Sequence, residues 1–217
     1  MKKLSRRNLM KFGMVGTVAG LFKVTESWSA MIAAPTPKEV EGPFYPVVDQ
    51  ADKDADLTQV SGRTGHAKGH YIVIRGSVKD ISGQPVENAS IDVWQANAAG
   101  RYNHPRDPNP APQDPFFQGW AIIRSDTNGL YRFRTVKPGA YPAAKSWTRP
   151  PHIHFKISKK GFSELITQMY FPNEPLNVSD LLYSNKTEAE QRLMTARQTG
   201  EHEGLLVYTY DIVLSKH

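Results

Sequence analysis

Among the 217 residues there is no cysteine, which excludes a disulfide framework and any thiolate metal site. It leaves the compartment open, since many exported proteins lack disulfides. Long hydrophobic runs are missing as well. The weakly apolar, glycine-containing run from Phe12 to Phe22 spans about 11 residues, too short to cross a bilayer, which takes roughly 20 helical residues. An excess of one charge is missing from most of the chain. The formal charge is +6, but Lys2, Lys3, Arg6, Arg7, Lys11 and Lys23 against Glu26 put +5 of it in residues 1–30, leaving +1 for the rest. The basicity belongs to the start of the chain, which argues against a nucleic-acid partner. With 39% hydrophobic and 22% charged residues, the chain has the composition of a folded globular protein.

The start reads as a targeting segment: a cationic stretch, the short apolar run, then small residues around Ser27–Ala34 where a peptidase could cut. Ser5-Arg6-Arg7-Asn8-Leu9-Met10-Lys11 resembles the twin-arginine export signal of bacteria, an address read by a receptor. The expectation is a signal segment over 1–30 and a single domain over 31–217, without an internal repeat. The mature protein would be periplasmic or secreted, with no stable membrane span after processing.

From about 35 to 70 the chain is rich in Pro, Asp and Gly without a sustained period, an extended segment with loops. Short β-type runs then recur between turn signals. Tyr71–Val78 is followed by the turn Asp80-Ile81-Ser82-Gly83-Gln84-Pro85, and Ala89, Ile91 and Val93 alternate with polar or aromatic neighbours. Trp120–Arg124 leads through Asp126-Thr127-Asn128-Gly129 into Leu130–Val136, which reads as a hairpin. His152–Ile157, Leu165–Phe171 and Leu205–Leu214 are further strands. One helix is expected near 188–198, opened by a capping box from Thr187 to Glu190 and closed by Gly200. The fold class is all-β, an antiparallel β-sandwich with long site loops and one short helix in the C-terminal third.

The sharpest chemical signal is His152-Ile153-His154. Side chains alternate along a strand, so both imidazoles share a face and can reach one metal while Ile153 points into the core. Upstream, Lys137-Pro138-Gly139-Ala140-Tyr141-Pro142 sets a tyrosine in a rigid turn, and Trp94 to His104 sets Tyr102 in a loop after a strand. Two phenolates joined to two imidazoles would favour a trivalent, oxygen-loving ion, iron(III) rather than zinc or copper. Trp94 and Trp120 read as core; His66, His70, His202 and His217 as solvent-facing.

Several blocks together resemble the intradiol ring-cleavage catechol dioxygenases, particularly the iron-bearing subunits of protocatechuate 3,4-dioxygenases, over roughly residues 40–215. They are Glu41-Gly42-Pro43-Phe44-Tyr45, Trp94–Tyr102, Ser125-Asp126 with Gly129 and Tyr131, Pro138-Gly139 with Tyr141-Pro142, Arg149-Pro150 with His152–Phe155, and Thr167–Phe171. The resemblance implies non-haem Fe(III) ligated by Tyr102, Tyr141, His152 and His154. It implies a catechol-type substrate opened by O2 to a cis,cis-muconate, with Tyr141 released as the substrate binds and serving as internal base. Arg149 would stabilise charge on the substrate, Gln168 would stand near the metal and Phe44 would border the substrate. His104 and Asp107 follow Tyr102 as in the family pattern and read as loop structure or outer shell rather than ligands. Thr148, Pro151 and Ala143 depart from the family pattern and leave the ring substituent open; Arg101, Arg106, Lys145 and Arg124 are candidate partners for a substrate carboxylate. A homo-oligomer or a related second subunit is a further expected partner. The rival readings are a transthyretin-like or adhesin-type binding module and an Fe(II) enzyme using Asp107 with the two histidines.

Overall fold

The computed structural model describes residues 33–50 and 52–217, so the expected signal segment over 1–30 lies outside the described residues. Among the described residues, eleven strands follow the extended segment: β1 (Tyr71–Asp80), β2 (Ser90–Trp94), β3 (Trp120–Arg124), β4 (Leu130–Val136), β5 (Tyr141–Ala144), β6 (Trp147–Arg149), β7 (His152–Ser158), β8 (Leu165–Tyr170), β9 (Arg197–His202), β10 (Leu205–Thr209) and β11 (Ile212–Leu214). A 3₁₀ turn (Pro175–Ser179) and two short helices, α1 (Leu181–Ser184) and α2 (Glu188–Met194), stand between β8 and β9.

Two sheets form the sandwich. In the first, β1 is central: it pairs antiparallel with β4 on one side and parallel with β10 and then β11 on the other, and β9 extends the sheet beyond β10. In the second, β3-β2-β7-β8 is antiparallel throughout. Alternation along each strand turns Ile91, Val93, Ile153, Phe155 and Ile157 of the second sheet inward against Ile72, Ile74, Tyr131 and Phe133 of the first. Phe155 meets Tyr131, Phe133 and Tyr210 at ring separations of 6.1, 6.1 and 5.2 Å, which locks the two layers face to face. Each such fully buried side chain contributes about 1.5–3 kcal/mol relative to exposure.

The all-β sandwich with a short late helix is borne out, with four differences. The sheet around β1 is mixed, because β10 and β11 return alongside it in parallel. Trp120–Arg124 and Leu130–Val136 do not form a hairpin; β3 pairs with β2 and β4 with β1, in different sheets. The turn between them is an arch. Asp126 Oδ1 accepts from the amides of Asn128 and Leu130, while Ser125 bonds Ala89 and Val86 beneath one sheet and Gly129 bonds Val78 in the other. Turn residues reverse the chain in either case; only packing decides whether the second strand stays in its sheet. The helix ends at Met194, and Gly200 lies in β9 rather than at a cap. Met194 and Ala196 are buried and the Ala196 amide bonds the carbonyl of Tyr170, so tertiary packing pulls the chain out of the helix early. Leu205–Leu214 breaks into β10 and β11 at Tyr210-Asp211, where Asp211 turns back to bind Ser77.

Candidate metal centre

The outer face of the second sheet carries the site. In register across it, Trp120, Trp94, His154 and Gln168 stand side by side on β3, β2, β7 and β8. Farther along β7, His152 pairs with Tyr170. Trp94 is buried, as expected, but it also stacks nearly parallel on His154, 4.8 Å between centroids and 12° between planes.

Tyr102 and Tyr141 reach this face from two loops that touch through their backbones. The Tyr102 loop is folded by Asn97, whose side-chain oxygen accepts from the amides of Ala99 and Arg101. The Gly139 amide donates to the Asn97 carbonyl. A Cβ on Gly100, which has φ +80°, would stand 2.2 Å from the Ala140 carbonyl oxygen, and one on Gly139 would stand 2.5 Å from the Gly100 nitrogen. Only glycine permits that approach. The Pro-Gly turn before Tyr141 leads into the short β5–β6 hairpin, in which Tyr141 pairs with Arg149; no alternation in the sequence announces that hairpin.

All four rings converge and are buried: Tyr102, Tyr141, His152 and His154 are each 6% exposed or less. The Tyr102 hydroxyl lies 3.1 Å from His154 Nε2 and 3.4 Å from His152 Nε2, and its ring stands edge-on to Tyr141 at 5.4 Å. His152 Nδ1 bonds the Pro150 carbonyl at 2.7 Å, which leaves Nε2 as the free lone pair facing the phenols. Burial pushes the Tyr102 phenol well up, Tyr141 adds to this, and Arg149 opposes it. Burial also raises Tyr141, against the pull of Arg149 and Tyr102. Both imidazoles are held well below their usual range, by burial first and then by Arg149. Neutral imidazoles and phenols waiting to lose protons suit a strong Lewis acid. Two hard oxygens with two nitrogens fit a ferric ion in donor chemistry. Among the described residues no group of three or more His, Cys, Asp and Glu gathers to hold a metal. Asp107 instead accepts from the amides of Tyr102 and Asn109, so the two-histidine, one-carboxylate reading has no carboxylate.

Arg149 is 3% exposed. It donates to Asp180 Oδ2 at 2.6 Å, to Gln168 Oε1 at 2.8 Å and to the Tyr170 hydroxyl at 2.9 Å, and its charge pulls the Tyr141 phenol down against burial. Asp180, which sequence reasoning missed, also caps α1 through the amides of Leu182 and Tyr183. No spacing motif links it to Arg149. Gln168 spends its amide on the Val40 carbonyl, so its polar atoms position Arg149 and the 40s segment. Phe44 lies on Tyr102, 4.8 Å between rings, and 6.2 Å from Tyr141. Its neighbour Tyr45 donates to Asp92 at 2.9 Å, beneath the Lys156 ammonium, and Lys156 also pairs with Glu41. A Cβ on Gly42 would come 3.3 Å from His154 Cε1. Residues 40–45 are therefore a strap sewn over the rings.

A cavity of about 480 Å³ opens behind Tyr102 and Phe44, lined also by Trp94, Trp120, Arg101 and His104. It shares only Tyr102 with the four rings. His104 there accepts from the Arg106 amide and Arg101 donates to the Ala111 carbonyl, both loop-building contacts. Arg124 is remote, at the far end of β3, where it lines a separate groove with residues of β1 and β4.

A family model described as Dioxygenase matches residues 40–216. The chain is 44% identical over 179 residues to the protocatechuate 3,4-dioxygenase beta chain of Burkholderia cepacia, covering 79% of this chain and 76% of that one. It is 30% identical over 164 residues to a catechol 1,2-dioxygenase of Acinetobacter baylyi, covering 70% of this chain and about half, 51%, of that longer one. Among solved structures, the 3-chlorocatechol 1,2-dioxygenase of Rhodococcus opacus 1CP superposes with a TM-score of 0.66 at 25% identity, covering 88% of this chain and 77% of that one.

Proposed function

The chain belongs to the intradiol ring-cleavage dioxygenase family, and from that premise we propose that it opens a catechol-type ring, protocatechuate or a relative, to a cis,cis-muconate with O2. The observation that carries this is the convergence of two phenols and two imidazoles, Tyr102, Tyr141, His152 and His154, in one buried cluster. These four would hold non-haem Fe(III), which would supply the redox chemistry of ring opening.

The residues around it divide the remaining work. Tyr141 has its proton affinity raised by burial. Its Oη would take up and keep a proton from an arriving catechol, the part of a general base. Arg149 stands within reach of that oxygen as a fixed cation and stabilises negative charge gathering on the substrate. Gln168, Tyr170 and Asp180 aim the guanidinium, which removes the reorganisation a flexible cation would need. We assign the ring to the Tyr141–Arg149 side, where a buried cation and a displaceable phenol meet. Phe44 keeps Tyr102 in place from the opposite flank.

Iron content, visible colour and product identity test the reading on purified protein. Two bound tyrosinates should give a red-brown protein, and a catechol panel should yield a colourless muconate absorbing in the ultraviolet. A colourless protein carrying stoichiometric zinc, or a yellow hydroxymuconic semialdehyde product, would overturn it. We propose further that residues 1–30 export the folded enzyme by the twin-arginine route, so that the mature chain works in the periplasm or outside. Association with further copies or a related subunit fits the relative named as a beta chain. No helix among the described residues is long and apolar enough to cross a membrane.

A further inference from the structure

The outer face of the first sheet lies on the opposite side of the sandwich from the metal centre. Near Val136 the segment around Asp56 pairs in plane with the free edge of β4: the Leu57 amide donates to the Arg134 carbonyl and the Arg134 amide to the Ala55 carbonyl, and Asp56 pairs with Arg134 at 3.7 Å. Beyond that point β1 and β4 run open into a groove of about 650 Å³. Four cations line it, Arg75 and Lys79 on β1, Arg132 on β4 and Arg124 at the end of β3. None of the four forms an ion pair with an acidic side chain among the described residues. Two carboxylates border the groove, but both are engaged: Asp126 holds its own turn, and Asp211 binds Ser77 and Arg197.

Arg75 and Arg132 are direct cross-strand partners in the register of β1 with β4. Like charges set opposite one another weaken a sheet. Arg75 reaches Thr209 and Thr199 on the far side of β1, but neither guanidinium has a carboxylate to balance the other, and residues 31–217 carry a net charge of only +1, so the concentration of positive charge here is local. Leu130, half exposed at 51%, sits among the cations.

We propose that this groove docks an acidic polypeptide segment, carboxylates against Arg75, Lys79, Arg124 and Arg132 and an apolar side chain on Leu130. An extended peptide supplies both kinds of group at alternating positions, matching a pleated surface. A bilayer of anionic lipid is flat and the groove is concave. A carboxylated polysaccharide stacks on exposed aromatic rings, and the ring that lines this groove, Tyr131, is 4% exposed. Docking there leaves the metal centre free, so the surface would tether the enzyme to a partner without blocking its chemistry. Such docking is independent of the reaction assigned to the chain.

The test uses the full folded chain and a short fluorescein-labelled peptide of repeated Glu-Glu-Leu, followed by fluorescence anisotropy, with polygalacturonate and phosphatidylglycerol vesicles as competitors. The peptide should bind at low ionic strength and weaken as salt is added. Arg75→Glu with Arg132→Glu should lower affinity roughly tenfold or more by converting attraction to repulsion, with ring-cleavage activity unchanged. Equal affinity in wild type and double variant, or preference for the polysaccharide or vesicles, would overturn the proposal. Arg132→Thr provides a second reading that needs no ligand: it removes the opposed charge, so its Tm should equal or exceed that of the wild type. A lower Tm would show that the Arg75–Arg132 pair is already compensated within the fold, and the groove would have no unmet charge for a partner to satisfy.

Discussion

His152 and His154 set the acid limit of the metal-free protein. Both have folded-state pKa values well below the ordinary 6.5, by burial first. The unfolded chain therefore binds more protons than the native one once pH drops below that value, and stability falls with it. Urea denaturation of the metal-free protein should show a falling midpoint as pH is lowered from 7.5 through 6.5 and below, with a shallower slope in His152→Asn; a pH-independent midpoint over this range would contradict the burial of both imidazoles. Arg149 poses a different question, because it pairs across the β5–β6 hairpin with Tyr141 and is also half of a buried ion pair. Arg149→Ala should keep iron and colour while turnover falls about 10²–10³-fold, and it should lower Tm because Asp180 is left unpaired. Asp180→Asn keeps the cation but strands it in a buried site, costing about 3–5 kcal/mol of stability with a smaller loss of turnover. Steady-state kinetics beside thermal melts separate the two; equal turnover losses would mean that Arg149 has no role beyond the pair.

Two elements hold the tyrosines and the strap. Gly139→Ala forces apart backbones that a Cβ would bring to 2.5 Å, so Tyr102 and Tyr141 should separate. The expected outcome is a folded but largely iron-free protein, measured by metal analysis and circular dichroism; a fully loaded variant would show that the loops tolerate the shift. The 40–45 strap is fastened by Tyr45 and Asp92, with the Tyr45 phenol pushed up to about 12 by burial and then by Asp92. Tyr45→Phe removes one partly buried hydrogen bond, worth about 1 kcal/mol. Iron release to a chelator, followed by loss of visible colour, should therefore quicken about fivefold. No change in release rate would mean that the strap is held by its Lys156–Glu41 and Gln168 contacts alone.

The whole molecule joins a site that exists only after folding to a proposed address at the start of the chain. Tyr102 and His154 come from separate loops and strands, so the four donors cannot pre-assemble on an unfolded chain. Folding and loading before export would let iron be chosen inside the cell, away from tighter-binding copper or zinc. Changing Arg6 and Arg7 together to Lys should leave active, coloured precursor in the cytoplasm, read by fractionating ring-cleavage activity beside the parent; equally efficient export would remove the twin-arginine reading and leave the enzyme assignment standing.

What was legible in the sequence is what the chain encodes locally. Period-two alternation places His152 and His154 on one face and Ile153 on the other, and it marks most strands. The tyrosines were legible because each sits beside a Pro/Gly or Gly turn that only a constrained backbone needs. Turn residues also announced the bend at Asp126–Gly129, but a bend does not say which sheet receives the next strand, so the arch read as a hairpin. The exposed strand β9 carries no alternation to detect, and the capped helix ends earlier than its local signals indicate because the pull on Met194 and Ala196 comes from distant core residues. The tertiary structure alone decided the pairing of Arg149 with Asp180, 31 residues away, the contact of Gly100 with the Tyr141 loop, and the gathering of Arg75, Lys79, Arg124 and Arg132 in one groove. Each is a contact between segments whose own patterns carry no trace of the other: alternation tells a side chain which way to face, and only packing tells it what it will meet.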